Sequence, residues 1–226
     1  MGKVTILEID KDPISKIGRY AGICWKTDTS DPKKNYKRGL DCIESGHGRL
    51  LELVNVEVCL EGYSARVIRE WYTHIGCLPT RLQASTRYID YGAFDYIVPP
   101  SIKYGDTLMM DKYKDCMTNI QNSIRQLTSM GVSTEDAAYL LPLGMTTKIV
   151  DKRNLRNLLD MEHTRLCTRT LWEFRELLQD LNMKLWDVSD EWQHIVKKYF
   201  LPKCAIVGYC AEKHGCGKYP KKGDMV

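Results

Sequence analysis

The sequence predicts an α+β domain, on three observations. Short β-branched or alternating runs at Val4–Asp10, Leu51–Leu60 and Thr146–Val150 read as strands. Longer segments, Tyr113–Met130 and Asn154–Met183, carry apolar residues at helical spacing. The chain has 226 residues, 43% hydrophobic and 27% charged, which is the profile of a globular protein long enough to bury a core. A few strands beside long helices make the α+β pattern.

Taken in order, Val4–Asp10 opens the chain as a strand. Pro32–Ser45 reads as a helix with Tyr36, Leu40 and Ile43 on one face and Gly46 as its stop. Leu51–Leu60 follows as a strand, with Leu53, Val54, Val56 and Val58 in partial alternation, and Gly62–His74 as a helix. Thr80–Pro100 is a polar and aromatic loop or extended segment closed by Pro99-Pro100. Tyr113–Met130 is a helix with the stripe Met117, Ile120, Ile124 and Leu127. Ser133-Thr134-Glu135-Asp136 has the form of a helix N-cap. After the strand Thr146–Val150, Asn154–Met183 is one long helix or two with a break, and Ser189 caps a last helix reaching Phe200.

A formal net charge of +4 argues against a dedicated nucleic-acid binder and suits an enzyme for small anionic molecules. The opening Met-Gly-Lys lacks the apolar run of a secretory leader. No stretch approaches the roughly 18 apolar residues of a membrane span. The expectation is a cytoplasmic protein with reduced thiols and no membrane partner. Nine cysteines are the compositional outlier. Six are dispersed; Cys204, Cys210 and Cys216 gather near the end, with His214 between the last two. Three Cys and a His can hold zinc, but this spacing lacks the usual Cys-x2-Cys knuckle. A reduced tail is the preferred reading, and no metal is assigned.

Two stretches carry chemistry. Arg81, Gln83, Ser85 and Arg87 alternate, so an extended backbone would project all four from one face. Two guanidiniums, an amide and a hydroxyl suit a nucleotide; a solvated edge strand would show the same alternation. In Asn154–Arg175, Asn154, Arg156, Asp160, Arg165, Arg169 and Arg175 interleave with leucines, as on a helix with an ordinary charged face. The dinucleotide Gly-x-Gly-x-x-Gly, the P-loop, the nucleophile elbow and His-Glu-x-x-His are all absent.

Together these stretches resemble the flavin-dependent thymidylate synthases, a family marked by Arg-His-Arg-x7-Ser-x-Arg followed by Tyr. Ser85-Thr86-Arg87-Tyr88 matches the motif's end, and His74 stands at its central His after Arg69-Glu70-Trp71-Tyr72. Downstream, Leu141-Pro142, Asn154-Leu155-Arg156, Arg165 and Trp172-Glu173-Phe174-Arg175 fall at family-like spacing. Upstream, Gly46-His47 and Glu52 resemble a further family segment. The resemblance covers roughly residues 3–200, so residues 1–200 are expected to form one domain and 201–226 a Cys-rich basic tail.

The resemblance implies a small, mainly antiparallel central sheet with long helices, and a homotetramer with shared active sites. It implies bound FAD, dUMP as substrate, methylenetetrahydrofolate as one-carbon donor and NADPH as reductant. Arg165 would stabilise the activated pyrimidine. Ser85 and Arg87 would hold the dUMP phosphate, and Gln83 would sit between nucleotide and flavin. His74, Asn154 and Arg156 would contact FAD.

The departures from the family are specific. Thr73 and Ile75 replace the arginines flanking the His, and the run from Ile75 to Ser85 is two residues longer than the family spacing. Ala138 stands where the family has a phosphate-binding Arg, with Arg81 or Lys152-Arg153 as candidates to compensate. Glu70 replaces a Gln, and Cys24 a Ser that touches the flavin. These changes leave two other readings: a related dUMP hydroxymethylase, and a nucleic-acid-binding module using the tail.

Overall fold

The computed structural model describes residues 2–224. Met1, Met225 and Val226, at the ends of the expected domain and tail, lie outside the described residues. Two compact units divide the chain: residues 2–3, 59–73 and 81–150 form the first, and 4–58, 74–80 and 151–224 the second.

Strand β1 (Lys3–Ile9) begins the chain, as expected. It is followed by α1 (Pro13–Cys24), an element not anticipated above. Ile14, Ile17 and Ala21 bury one face of α1, and α2 (Pro32–Glu44) packs against it. The two backbones meet at glycines: a Cβ on Gly18 would lie 1.8 Å from the Asn35 carbonyl oxygen, and one on Gly39 2.0 Å from that of Ile14. Accordingly the most buried face of α2 is Asn35, Gly39 and Cys42. Tyr36, Leu40 and Ile43 flank it half-buried.

The next strand starts later than expected. Gly48–Leu51 is a helical turn, α3, and β2 spans Asn55–Ser64. Val54, Val56, Val58 and Leu60 are buried, whereas Leu53 is exposed, so the true alternation begins at Val54. The helix expected over Gly62–His74 is correspondingly shorter. Gly62 and Tyr63 belong to β2, Ser64 caps α4 (Ala65–Trp71) by accepting from the Val67 N–H at 3.1 Å, and the helix ends at Trp71. Next come β3 (Thr80–Gln83), α5 (Pro100–Lys103) and α6 (Thr107–Ser129). Met117 and Ile124 of α6 enter a cluster with Tyr91, Phe94, Ala137 and Met145, and Ile120 and Leu127 pack against it, which is the stripe read from the sequence. Ser133 caps α7 (Thr134–Ala137) as expected.

Strand β4 runs over Thr146–Asn154 and buries Thr147, Ile149, Asp151 and Arg153. The long helical segment is broken: α8 (Leu155–Arg165) and α9 (Trp172–Trp186) are separate. Helices α10 (Asp190–Tyr199), capped by Ser189, and α11 (Lys203–Val207) follow, and a 3-10 turn lies at Lys222–Asp224. The sheet is antiparallel, in the order β1-β2-β4-β3.

Within the second unit, α1 has no side-chain cap of its own. Glu191 supplies one from α10, its carboxylate accepting the N–H groups of Ile14 at 2.6 Å and Ser15 at 2.9 Å. Buried Trp192 next to it donates from Nε1 to the Asp10 carbonyl at 2.8 Å. Among the described residues, no helix is long and apolar enough to cross a membrane.

Candidate active site

The second unit gathers four of the residues singled out in the sequence. Arg165 ends α8, and His74 lies in the segment 74–80. Arg165 Nε donates to His74 Nε2 at 2.9 Å. An arginine has no acceptor to offer, so His74 Nε2 carries the lone pair and the ring proton sits on Nδ1. Burial, with the Arg165 and Arg153 guanidiniums adding to it, lowers His74 from 6.5 to about 4, so the ring is neutral near pH 7. The Arg165 guanidinium also lies 5.0 Å from the ring centroid of fully buried Phe174, whose edge meets the His74 ring. Arg165 is thus a cation fixed by a neutral base on one side and an aromatic face on the other.

The loop after His74 turns sharply. Cys77 and Leu78 have φ of 57° and 50°, two successive left-handed residues without glycine. Asparagines hold this turn in place. Asn157 Nδ2 donates to the carbonyls of His74 at 3.2 Å and Gly76 at 2.6 Å, and Asn154 Nδ2 donates to Cys77 O at 3.3 Å. Asn154 Oδ1 meanwhile caps α8 by accepting from the Asn157 N–H at 3.0 Å. Both polar atoms of the Asn154 carboxamide are therefore engaged within the chain. Asn157 is in turn oriented by Arg153 Nη1 at 2.6 Å, and Arg153 pairs with Asp151 through two hydrogen bonds of 2.5 and 2.9 Å. Asp151 and Arg153 are both buried. This overturns the expectation that Arg153 could compensate for a missing phosphate ligand. Lys152 pairs with Glu57 instead, at 3.0 Å.

Arg156 donates to Glu52 Oε1 at 2.7 Å while Arg49 reaches Oε2 at 3.1 Å. The Arg156 hydrogen bond holds Glu52 below the usual carboxylate range. Burial and the Glu52 carboxylate push the Cys77 thiol up, so it stays protonated. Beside Arg49 lies an open cleft of about 420 Å³ lined also by Ala21, Cys24, Trp25, His47 and Leu50. Gly48 belongs to the same wall, and a Cβ there would come within 3.3 Å of the Arg156 guanidinium carbon.

Gln83, Ser85 and Arg87 belong to the first unit. The alternation ends sooner than expected, because β3 stops at Gln83 and a turn follows. Ser85 Oγ accepts from the Arg87 N–H at 3.1 Å, a local turn that removes both residues from the strand register. Gln83 is exposed at the end of β3. Arg87 Nε pairs with Glu135 at 3.2 Å, with both side chains more than half exposed. Arg81 donates to the Tyr72 carbonyl at 2.8 Å and stacks on the Tyr72 ring, so its guanidinium is taken up locally. Thr73 donates from Oγ1 to the Glu70 carbonyl and closes the end of α4.

The sequence did not single out Asn157 or Asp151. Asn157 had a signal, since it lies three residues after the cap Asn154. Asp151 had none, because a buried acid on a strand reads as an ordinary solvent-facing residue.

Comparison with known proteins identifies the family of the chain. The family model for thymidylate synthase complementing protein matches residues 5–189. A protein of Pyrococcus furiosus named flavin-dependent thymidylate synthase is 30% identical over 241 aligned residues, covering 98% of this chain and 96% of its own. Proteins of the same name from Nitratidesulfovibrio vulgaris and Sulfolobus acidocaldarius are 28% and 32% identical, covering 81% and 74% of this chain and 76% and 61% of their own. The chain belongs to the thymidylate synthase complementing protein family and is homologous to the flavin-dependent thymidylate synthases, which are enzymes.

Proposed function

We propose that the chain is a flavin-dependent thymidylate synthase, converting dUMP to dTMP with methylenetetrahydrofolate as one-carbon donor and NADPH as reductant. The observation that carries this reading is the fixed Arg165 cation, held by neutral His74 at 2.9 Å. C5 of uracil is a weak nucleophile, and its activation places negative charge on N3 and O4. A guanidinium already oriented at that position stabilises the charge without reorganising. Arg165 takes that role. Protonated His74 would set two cations side by side, so its low pKa keeps the Arg165 hydrogen bond intact at working pH.

The residues present fit a flavin dinucleotide. The cleft at Trp25, His47 and Leu50 offers an apolar slot for a flat ring, and Arg49 and Arg156 stand at its edge as donors for a diphosphate. FAD bound there supplies the reducing equivalents for the transferred carbon. His74, Asn154 and Arg156 contact it, Asn154 also through the loop it holds. Ser85 and Arg87 take the dUMP phosphate, which displaces Glu135, and Gln83 lies between nucleotide and flavin. No thiol is needed as nucleophile, in keeping with a protonated Cys77.

Exposed apolar residues of the first unit support assembly into a homotetramer with shared active sites. Tyr104, Leu108, Met130 and Tyr139 are each more than 70% exposed. The test is the purified full-length protein. It should be yellow, elute at four copies in light scattering, and release tritium from C5-labelled dUMP with the folate donor and NADPH. Arg165→Ala should lower turnover about 10²–10³-fold. Colourless protein with no FAD binding in titration would refute the reading, and a fall below about tenfold would remove the role of Arg165. Mass spectrometry of the nucleotide product separates methyl from hydroxymethyl transfer.

A further inference from the structure

The tail cysteines are the motif that the proposed reaction does not use, and the fold changes their partners. Cys204, Cys210 and Cys216 line a small, largely enclosed cavity of about 50 Å³. The fourth thiol on that cavity is Cys167, from the break between α8 and α9. His214 is not part of the lining. Cys204 lies within electrostatic reach of both Cys210 and Cys167. The Lys218 backbone N–H and the Thr168 hydroxyl hold the Cys216 thiol below its ordinary value. Two glycines make room for this arrangement. A Cβ on Gly215 would come 2.9 Å from Cys210 Sγ, and Gly217 has φ +81°, a left-handed turn directly after Cys216 that suits glycine.

The surrounding chain needs a staple. Among residues 201–223 none is buried. Ordering a backbone costs about 1–2 kcal/mol per residue, and apolar burial ordinarily offsets it. Here the visible ties are few: Cys210 N–H to the Pro220 carbonyl at 2.7 Å, a bridge between Cys210 and Lys221, and the exposed pair Arg169–Glu212. Segments too small for a core of their own are held by disulfides or a structural metal. All nine cysteines are free thiols. Four thiols from well-separated chain positions are the full complement of a closed tetrahedral zinc site.

We propose that Cys167, Cys204, Cys210 and Cys216 form a tetrathiolate site for a structural zinc-class cation, which ties the tail to the loop after α8. No three His, Cys, Asp or Glu side chains among the described residues stand close enough to share an ion as they lie. Binding therefore draws the sulfurs inward across the cavity, to about 2.3 Å from the metal. One Zn²⁺ and four thiols give a dianionic complex and four released protons. Lys218 and Arg169, both on the cavity wall, offset that charge. The unusual spacing in the sequence is explained, because the fourth ligand lies far upstream of the tail.

The site is independent of the reaction proposed above, so its test is metal content. Full-length protein purified without a metal-affinity tag, in reducing buffer, should carry close to one zinc per chain by mass spectrometry. After chelation, cobalt should restore the intense bands of a tetrahedral thiolate complex, and trypsin should cut the tail faster in the chelated protein than in the zinc-loaded one. Cys167→Ser, Cys204→Ser, Cys210→Ser and Cys216→Ser should each lower bound metal at least severalfold, whereas Cys116→Ser should not. Wild-type protein with less than about a tenth of an equivalent of zinc and no cobalt bands would overturn the proposal. So would full metal retention in the serine variants, or a disulfide between two of the four cysteines in protein purified without oxygen.

Discussion

Lowering the pH should weaken the chain through one imidazole. His74 in the unfolded chain takes a proton near 6.5, whereas the folded chain holds it off until about 4. Between those values the unfolded state binds more protons, so stability is full above about 6.5 and falls as pH drops toward 4. At about 1.36 kcal/mol per pH unit the whole drop is about 3 kcal/mol, an upper value because the ring is only half-buried, and about 2 kcal/mol of it is lost by pH 5. The cause is local: a protonated ring loses the acceptor that Arg165 Nε uses at 2.9 Å and sets two cations together. The perturbation is His74→Gln, whose side-chain oxygen can accept from Arg165 but does not titrate. Urea unfolding at pH 7 and pH 5 should show wild type losing about 2 kcal/mol more than the variant. In parallel, histidine NMR should place the His74 midpoint near 4, and Arg165→Leu should raise it. Equal pH slopes, or a His74 midpoint near 6.5, would refute the reasoning.

Arg87→Ala should raise the dUMP requirement, and an unchanged KM would remove Arg87 from the phosphate site. Glu135→Gln should do the reverse, lowering KM by up to about fivefold, because an exposed pair is worth no more than about 1 kcal/mol. Glu162, fully buried on α8, is pushed up to about 8 by burial despite a hydrogen bond from Asn182. The stability it contributes is present below about 4.5 and is lost as pH rises toward 8, the opposite sign to His74. Glu162→Gln should therefore stabilise the chain more at pH 8 than at pH 5 in thermal unfolding, and an equal shift at both would contradict this. Arg153→Met strands the Asp151 carboxylate and should cost about 3–5 kcal/mol in denaturant unfolding, while Lys152→Met one residue away should change stability by less than about 1 kcal/mol.

Periodicity carried the long elements. The stripe on α6 was legible because 3.6-residue spacing persists over several turns, whereas the same spacing across 154–183 left one helix or two open, and the structure has two. Short elements were not: Gly48–Leu51 has the leucines of a strand but curls after Gly46, whose φ is +74°. Helix α1 keeps helical spacing at Ile14, Ile17 and Ala21, but its capping residue, Glu191, lies 177 positions away from Ile14, and no local signal points to it. In the candidate site, His74 and Arg165 were found through a motif, and their contact joins positions 91 apart. The Asp151–Arg153–Asn157 support was invisible because each residue, read alone, suits a solvated surface. Alternation misled at Ser85 and Arg87, where a hydroxyl accepting from the N–H two residues on outcompetes the strand.

The cap that Glu191 places on α1 also bears on the order in which the chain is made. The amides of Ile14 and Ser15 leave the ribosome long before their acceptor exists, and the second unit is assembled from three separate stretches of chain. The first unit draws most of its residues from one uninterrupted stretch, 81–150, and its aromatic cluster from 91–145. During synthesis that stretch can condense early, while α1 stays unfinished until α10 emerges. A ribosome paused before residue 190 would thus hold a chain whose beginning is still waiting for its end.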